Sequence, residues 1–325
     1  MPLRAIAAVM LLLTSMSAVC AQTGSSAWPT RPLTVIVPNP AGSSNDIIAR
    51  IVGRDLSARI GQPVIIENRP GADGTIGVRQ VVRAAPDGYT LSFGSSTAYA
   101  GVPYLYTSPP YDPLKDLAPI SIVGRSPYVF AVFPGLGVKS VAELVELAKT
   151  RPGQLNYSSI GEGSIAQLGM VDFGERMKIE LQHIPYKSTA QSIIDVSTGI
   201  IHMQLATVAP TVPLFDAKKI QVLGIAAKNR LPVFPGIPTM AEAGIPGYEH
   251  TFWVAMFAPA GTPESIIARL NGEIATRLAT DSVKQAFNVQ GVEIEHSGSA
   301  GLQHILQQDI ESYRNIASKA GIPRR

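Results

Sequence analysis

The sequence predicts an α/β protein. Short runs rich in β-branched and aromatic residues alternate with helical patterns along most of the chain, and this alternation is typical of βαβ units with largely parallel sheets. The composition, 46% hydrophobic and 16% charged, is that of a globular chain with large buried cores. Because 325 residues are enough for roughly two domains, we expect two such units.

The chain opens with the pattern of a secretory signal peptide, Met1 to Ala21. Arg4 supplies the positive start, Ala5 to Val19 form an apolar run, and Val19-Cys20-Ala21 is a small-residue cleavage site. We expect cleavage after Ala21. A membrane anchor and a lipoprotein are the alternatives. The apolar run is short and interrupted by hydroxyl residues, and Val19 stands where a lipoprotein signal has a smaller residue.

Cysteine content and charge exclude several classes of function. Cys20 is the single cysteine, so the exported chain has no disulfide, no thiol nucleophile and no cysteine-based metal site. The formal net charge is only +3, and removal of Arg4 lowers it further. Binding of nucleic acid needs a clustered basic face, and we therefore expect no nucleic-acid partner.

The strands are predicted from apolar runs that are bounded by turn residues. In chain order they are Leu33 to Val37, Val64 to Glu67, Tyr89 to Phe93, Tyr128 to Phe133, Leu155 to Ser158, Ile179 to Ile184, His202 to Ala206, Val222 to Ala227 and Phe252 to Phe257.

Helices are predicted from apolar residues spaced three and four apart. Behind the first strand, Ser44 to Asp46 supply capping side chains for an amphipathic helix that continues to Ile60. Thr262-Pro263-Glu264 opens another helix, with proline at its first position and apolar residues every four positions from Ile266 to Leu278. A last helix, Gly301 to Ala320, is predicted to close a domain.

Three of the predicted strands end in turns rich in glycine, serine and asparagine that lead into helices. The first turn runs from Pro38 to Asp46, the second from Gly94 to Thr97, and the third from Ser159 to Ser164. A helix start leaves backbone N–H groups unpaired and carries the positive end of the helix dipole, and short hydroxyl side chains add further donors. Three such turns at one cleft predict a binding site for small carboxylates.

Other site chemistries are weaker interpretations. Gly71 to Gly77 follows a strand, but its G-x-x-G-x-x-G spacing is not that of a dinucleotide-binding loop, so we interpret it as a turn at the cleft rim and expect no cofactor. A G-x-S-x-G nucleophile motif is absent, and the five histidines have no metal-ligand spacing. We expect no catalytic residue and no metal site. Lys187 is the best candidate for a cation in the cleft, against an ordinary surface lysine.

Taken together and in order, a set of short motifs resembles the tripartite tricarboxylate transporter substrate-binding family, also called Bug receptors, over nearly the whole exported chain. The motifs are Trp28 to Pro32, Gly61 to Val64, Glu67 to Ala72, Ala85 to Leu91, Tyr111 to Pro113 with Lys115-Asp116, Pro185 to Lys187, Ile237 to Thr239, Glu242 to Gly244 and Phe257 to Pro263.

The resemblance implies a two-lobed periplasmic binding protein of the type II kind with two hinge crossover strands. Residues 22–125 and 251–325 would form lobe one, and residues 126–250 would form lobe two. The crossing strands would lie near Tyr128 to Phe133 and Phe252 to Phe257. Lobes of this kind close on a ligand by hinge motion.

By the same resemblance, the ligand would be held by the three turns. The implied ligand-binding residues are Asn39, Ala41, Gly42, Ser43, Ser44, Asp46, Ser95, Ser96, Thr97, Gly161, Gly163, Ser164 and Ala206. Two regions depart from the family pattern. In the turn after the first strand, Asn39 stands where an aromatic residue is usual and Gly42-Ser43 where a Gly-Gly pair is usual, and after the strand that begins at His202, Ala206-Thr207 stands where an acidic residue is usual. Asp46 is also interpreted as a helix cap.

The function implied is that of a monomeric periplasmic receptor and not of an enzyme. It would capture a small mono- or dicarboxylate, aliphatic or aromatic, and deliver it to the membrane permease subunits of a tripartite tricarboxylate transporter. The alternatives are a ligand sensor for a signalling receptor and an exported hydrolase.

Overall fold

The computed structural model describes residues 28–101, 106–161 and 163–319, apart from the side chains of residues 73 and 316–319. The predicted signal peptide, Met1 to Ala21, and the predicted helix end at Ala320 lie outside the described residues. The strands are β1 Leu33–Val37, β2 Val64–Asn68, β3 Thr90–Ser95, β4 Leu117–Val132, β5 Asn156–Ser159, β6 Gln182–Pro185, β7 Met203–Thr207, β8 Gln221–Ile225, β9 Thr251–Pro259 and β10 Glu293–Ile294. The α-helices are α1 Ser44–Ile60, α2 Thr75–Val82, α3 Val141–Thr150, α4 Ile165–Met177, α5 Thr189–Thr198, α6 Val208–Asp216, α7 Glu264–Leu278, α8 Asp281–Val289 and α9 Ser299–Lys319.

The strands form two sheets that share β4. The first sheet has the order β2-β1-β3-β9-β4, with β10 also paired to β4, and the second has the order β6-β5-β7-β4, with β8 on β4. Pairing is parallel between β1 and its neighbours and between β5 and its neighbours, and antiparallel at β4 and β9. The sheets are therefore mixed and not largely parallel, because β4 and β9 do not belong to βαβ units.

All the predicted strands are present, with shifts of a few residues at their ends. The first part of β4, from Leu117 to Pro127, was not predicted. It contains Pro119 and Gly124, residue types that are disfavoured inside strands. The structure accommodates both with irregularities in the pairing of β4 with β9, between Pro119 and Ser121 and between Ile122 and Gly124. The helix after Pro263 begins at Glu264, so this proline is the N-cap and not the first helical residue.

The chain crosses between the sheets at two adjacent points. β4 passes from the first sheet into the second at Pro127 and Tyr128, and the chain returns to β9 at Thr251. Between these points, Tyr128 N–H donates to the His250 carbonyl, and His250 N–H donates to the Ala226 carbonyl, each at 2.9 Å. The two crossings are hydrogen-bonded to each other. In the described residues, the chain passes from one sheet to the other only at these two crossings.

Buried apolar residues pack on both sides of the sheets. In the first sheet, Trp253 on β9 is fully buried, and its ring stacks on Tyr99 at 6.1 Å between ring centres. Beside the second sheet, Val129 on β4 and Phe234 in the loop after β8 belong to a separate buried cluster. Among the residues that the structure describes, no helix has the length and apolar character that crossing a membrane requires.

Candidate functional site

A cavity of about 600 Å³ lies where the ends of several strands meet helix starts. Residues at and after the ends of β1, β2 and β3 line one side, and residues that follow β5 and β6 line the other. The first group is Pro38, Asn39, Pro40, Ser43, Pro70, Gly71, Ala72, Gly74, Ser95, Thr97 and Ala98, and the second is Ile160, Ser164, Tyr186, Lys187, Ser188 and Thr189. We call this space the front cavity.

Five of the predicted ligand-binding residues line the front cavity. They are Asn39, Ser43, Ser95, Thr97 and Ser164. The other predicted residues do not. Ser96 lines a second cavity of about 480 Å³ beside the crossing segments, and Ala41 and Gly42 are exposed on their turn. Ser44, Asp46, Gly163 and Ala206 are buried, and Gly161 is partly buried.

The turn after β1 is held by a reciprocal cap at the start of α1. Ser43 is the N-cap, and its hydroxyl oxygen accepts from Asp46 N–H at 3.4 Å. The Asp46 carboxylate in turn accepts from Gly42 N–H at 2.9 Å. Gly42 has φ +78°, a left-handed conformation that favours glycine. The Ser43 hydroxyl proton is left free to donate into the cavity.

Asp46 is a structural residue of this turn in the described geometry. Its side chain is 5% exposed, it pairs with Arg50 at 2.9 Å, and it accepts from the Asn68 amide at 3.0 Å. Burial raises the pKa of this carboxyl, but the hydrogen bonds from Arg50, Gly42 and Asn68 outweigh burial and hold the pKa below its ordinary value. Asp46 therefore stays ionised, with both carboxylate oxygens engaged within the turn and its neighbouring residues.

Asn45 joins the turn after β1 to the end of β3. Its amide nitrogen donates to the Asn39 side-chain oxygen at 2.6 Å and to the Ser95 hydroxyl oxygen at 3.2 Å. The Asn68 amide, at the end of β2, donates to the Asn39 backbone carbonyl at 3.1 Å. The ends of three neighbouring parallel strands are thus tied together where they line the cavity, which is where open α/β sheets commonly bind ligands.

On the opposite side of the front cavity, polar groups at the start of α4 are hydrogen-bonded to one another. The Ser164 hydroxyl accepts from Gln167 N–H at 3.3 Å and donates to the Gly161 carbonyl at 2.8 Å. The Gln167 side chain accepts from Gly163 N–H at 3.0 Å. Because the Ser164 hydroxyl donates its only proton within the turn, Ser164 shapes the cavity and that proton is not available to a ligand.

The start of α5 lacks the side-chain capping hydrogen bond that is present at the start of α4. Ser188 is its N-cap, and the Ser188 side chain makes no capping hydrogen bond. Lys187, directly before it, is exposed and lines the cavity. Tyr186 donates its hydroxyl to Asp195 at 2.5 Å, and burial together with this carboxylate raises the Tyr186 pKa to about 12. Tyr186 is therefore neutral, and its hydroxyl is occupied outside the cavity.

Two lining segments were absent from the predicted site. The loop at Pro70 to Gly74 was interpreted only as a rim turn, and Tyr186 to Thr189 only as a motif with one candidate cation. The glycine pattern of the first segment and the position of both segments after predicted strands were the available signals. The close approach of the first loop depends on Gly77, where an added Cβ would lie 2.8 Å from the Arg69 carbonyl oxygen.

The cavity chemistry suits an anion. Its lining offers hydroxyl groups, an asparagine amide, helix starts and the Lys187 ammonium. Within the described residues, no group of three or more histidine, cysteine, aspartate or glutamate side chains could hold a metal ion.

Comparison with known proteins gives the family. Residues 48–322 match the model of the tripartite tricarboxylate transporter family receptor. The chain belongs to this receptor family. Among curated relatives, BugT of Bordetella pertussis is 32% identical over 315 residues, 97% of each chain. A protein from the tcbD-tcbE intergenic region of Pseudomonas sp. strain P51 is 33% identical over 291 residues, covering 89% of this chain and 86% of the relative.

Solved structures of similar receptors share the fold. A protein of R. palustris, solved with adipate, is 33% identical with a TM-score of 0.87, covering 91% of this chain and 99% of its own. MatC from Rhodopseudomonas palustris, solved with bound malate, is 28% identical with a TM-score of 0.81, covering 89% and 99%. The resemblance predicted from the ordered motifs is confirmed, and so is the two-lobed periplasmic-binding-protein fold of this receptor family.

Proposed function

We propose that this chain is a periplasmic receptor that captures a small mono- or dicarboxylate, aliphatic or aromatic, in the front cavity and delivers it to the membrane components of a tripartite tricarboxylate transporter. The observation that carries the proposal is the lining of the front cavity. Donors from Asn39, Ser43 and Ser95 lie on one side, and Lys187 and the start of α5 lie on the other.

The energetics of carboxylate binding fit this lining. A carboxylate that leaves water must regain several hydrogen bonds, and each bond to a charged group contributes about 1.5–3 kcal/mol. Micromolar affinity corresponds to about −8 kcal/mol. A few such bonds, together with the apolar walls of Pro38, Pro70 and Ile160, are sufficient after the entropic cost of ordering.

The relatives support the same ligand class, since one was solved with adipate and another with malate. On this proposal the receptor makes and breaks no bond, uses neither cofactor nor metal, and acts as a monomer. Export would occur with cleavage of the signal peptide after Ala21.

We assign residues 22–125 and 251–325 to lobe one and residues 126–250 to lobe two. The support is that β4 changes sheets at Pro127 and Tyr128 and that the chain returns at Thr251. Rotation about these two adjacent points would bring the Ser188 side of the cavity toward the Ser43 side, as in hinge closure around a ligand.

The test is a thermal-shift screen of the exported protein against mono-, di- and tricarboxylates, aromatic acids, amino acids and neutral amides. A ligand that binds only the folded state adds about 2.7 kcal/mol of stability at a hundredfold excess over its dissociation constant. We expect selective shifts with carboxylates. Shifts with neutral amides alone, or with no compound, would refute the proposal.

A pair of variants on α5 locates the site. Thr189→Trp places a large ring in the front cavity, which Thr189 lines, and should abolish the carboxylate shift. Thr198→Trp is the matched control, because Thr198 is exposed at the other end of the same helix. Equal ligand responses in the two variants would place the binding site elsewhere.

A further inference from the structure

We propose that Asn45 is a positioning residue that orients the NH₂ group of Asn39 and the hydroxyl proton of Ser95 as donors on the lobe-one wall of the front cavity, so that the receptor prefers an ionised carboxylate to its isosteric primary amide. The inference rests on the proposed function and adds the group that sets its selectivity. Asn45 is 6% exposed and is not itself among the cavity-lining residues.

The two hydrogen bonds of Asn45 fix the polarity of its neighbours. Because its amide nitrogen donates to the Asn39 side-chain oxygen at 2.6 Å, the acceptor atom of Asn39 is occupied and its NH₂ group is left for the cavity. Because the same nitrogen donates to the Ser95 hydroxyl oxygen at 3.2 Å, the Ser95 proton is left to donate elsewhere. Asn39 and Ser95 both line the cavity.

The opposite orientation of the asparagine pair is less favourable. Both hydrogens of the Asn45 amide nitrogen have acceptors, whereas its oxygen is buried without a partner. Rotating the amide would place the nitrogen at that buried position and leave two N–H groups unpaired. An unpaired buried N–H is rarer in proteins than an under-satisfied carbonyl. Burial around Asn45 therefore selects the orientation in which Asn39 presents its NH₂ group.

The rest of the wall has the same polarity. The Ser43 hydroxyl oxygen accepts from Asp46 N–H, so its proton is free. The Asp46 carboxylate has both oxygens engaged by Gly42, Asn68 and Arg50 and does not line the front cavity. A carboxylate has acceptors only, and it meets Asn39, Ser43 and Ser95 without conflict. A primary amide would bring its own N–H groups against the Asn39 NH₂ group, and it has fewer acceptor sites than a carboxylate for the Ser43 and Ser95 hydroxyls.

The experiment uses Asn45→Asp, which preserves the size of the side chain and replaces the donors that face Asn39 and Ser95 with acceptors. A carboxylate at this position would accept from Asn39 and Ser95, so the Asn39 oxygen would face the cavity beside a new negative charge. Binding is measured by calorimetry for three acid and amide pairs: malate and malamide, adipate and adipamide, and benzoate and benzamide. We expect the wild-type receptor to prefer at least one acid over its amide by at least about tenfold, and the variant to lose that preference at pH 7.5.

A pH series separates positioning from structural damage. Protonation of the introduced carboxylate in the Asn45→Asp variant removes the charge and restores a donor, so acid affinity in the variant should recover toward wild type between pH 7.5 and pH 5. The wild type and the variant are compared at each pH, so that titration of the ligand cancels. A purely structural defect would not recover.

The matched control is Asn271→Asp. The Asn271 amide donates to the backbone carbonyls of Ile120 at 2.7 Å and Ser297 at 2.9 Å, and Asn271 does not line the front cavity. The same change there should lower stability and leave the preference for acid over amide intact. If the Asn45 variant does not fold, Asn39→Leu provides the test, because it removes the donor that Asn45 orients and should reduce the preference by at least about threefold.

The outcomes distinguish this inference from the proposed function. If the wild type prefers an acid and the Asn45 and Asn39 variants keep the full preference, the positioning role of Asn45 is refuted while the receptor function stands. If the wild type binds acids and amides equally, the positioning role of Asn45 is refuted as well. If the thermal-shift screen identifies a different carboxylate, the same comparison is made with that acid and its amide; if the screen identifies no carboxylate, both proposals fail.

Discussion

Replacing Asp46 with asparagine tests whether the cap at the start of α1 holds the cavity wall. Asp46→Asn keeps the shape of the side chain and removes its charge. One amide oxygen can still accept from Gly42 or Asn68, but the amide nitrogen must then face the other donor. In the wild type these contacts are 2.9 and 3.0 Å long, and the side chain is 5% exposed.

The expected loss follows from these contacts. One hydrogen bond to a buried charged group is lost, at about 1.5–3 kcal/mol. The pair with Arg50 contributes less than about 1 kcal/mol, because the arginine is half exposed. We expect the free energy of unfolding to fall by about 2–4 kcal/mol at pH 7.5, measured by urea denaturation. Glu146→Gln is the control, since Glu146 is exposed and pairs only with Lys149 on the same helix.

The pH dependence has a defined sign. The pKa of Asp46 lies below its ordinary value of 3.8 in the folded state, so its contribution to stability is complete above that value and is lost as the pH falls through the folded pKa. The stability gap between wild type and Asp46→Asn should therefore be constant from pH 7.5 to pH 5 and close at more acidic pH. A gap below about 1 kcal/mol at pH 7.5, or one that widens on acidification, would refute this account of the cap.

Three further changes have expected outcomes. Lys187→Gln should weaken dicarboxylate binding about threefold to tenfold and reduce the dependence of the affinity on salt concentration, measured by calorimetry at low and high ionic strength. Unchanged affinity would show that Lys187 is not part of the binding site. Gly77→Ala should cost about 1–3 kcal/mol in urea denaturation, because the new Cβ would lie 2.8 Å from the Arg69 carbonyl oxygen, whereas Gly272→Ala in α7 has open space and should be neutral or stabilising. Burial lowers the pKa of His250 below 6.5, so the contribution of neutral His250 to folding stability is complete above pH 6.5 and is lost as the pH falls through the folded pKa. His250→Gln should therefore flatten the dependence of the free energy of unfolding on pH between pH 7 and pH 5. An unchanged dependence would contradict this.

Local patterns predicted much of the fold. β1, for example, is an apolar run followed by turn residues, and α1 has capping side chains and one apolar face, so each could be identified from a short window. The first part of β4 could not, because Pro119 and Gly124 are tolerated only where the pairing with β9 is irregular. β10, two residues long, exists as a strand only through its partner β4.

The candidate site was predictable at the level of turns and less so at the level of atoms. Asn39, Ser43, Ser95 and Thr97 were named from the sequence and line the front cavity. Ser164 also lines it, but its hydroxyl is used within its own turn. The pattern of residues shows that a hydroxyl is present, and it does not show which way the hydroxyl points.

By itself, the sequence determined the α/β class, the order of most strands, the helices that begin near Ser44, Glu264 and Gly301, the family, and the concentration of small polar residues at helix starts. These properties depend on neighbours within a few positions or on an ordered set of motifs. The tertiary structure alone decided that β4 joins two sheets, that Tyr186 to Thr189 face Asn39 across one cavity, and that Asn45 orients Asn39 and Ser95. These contacts join residues six to about 150 positions apart. Their geometry is set by packing and burial of the whole chain, which no local pattern encodes.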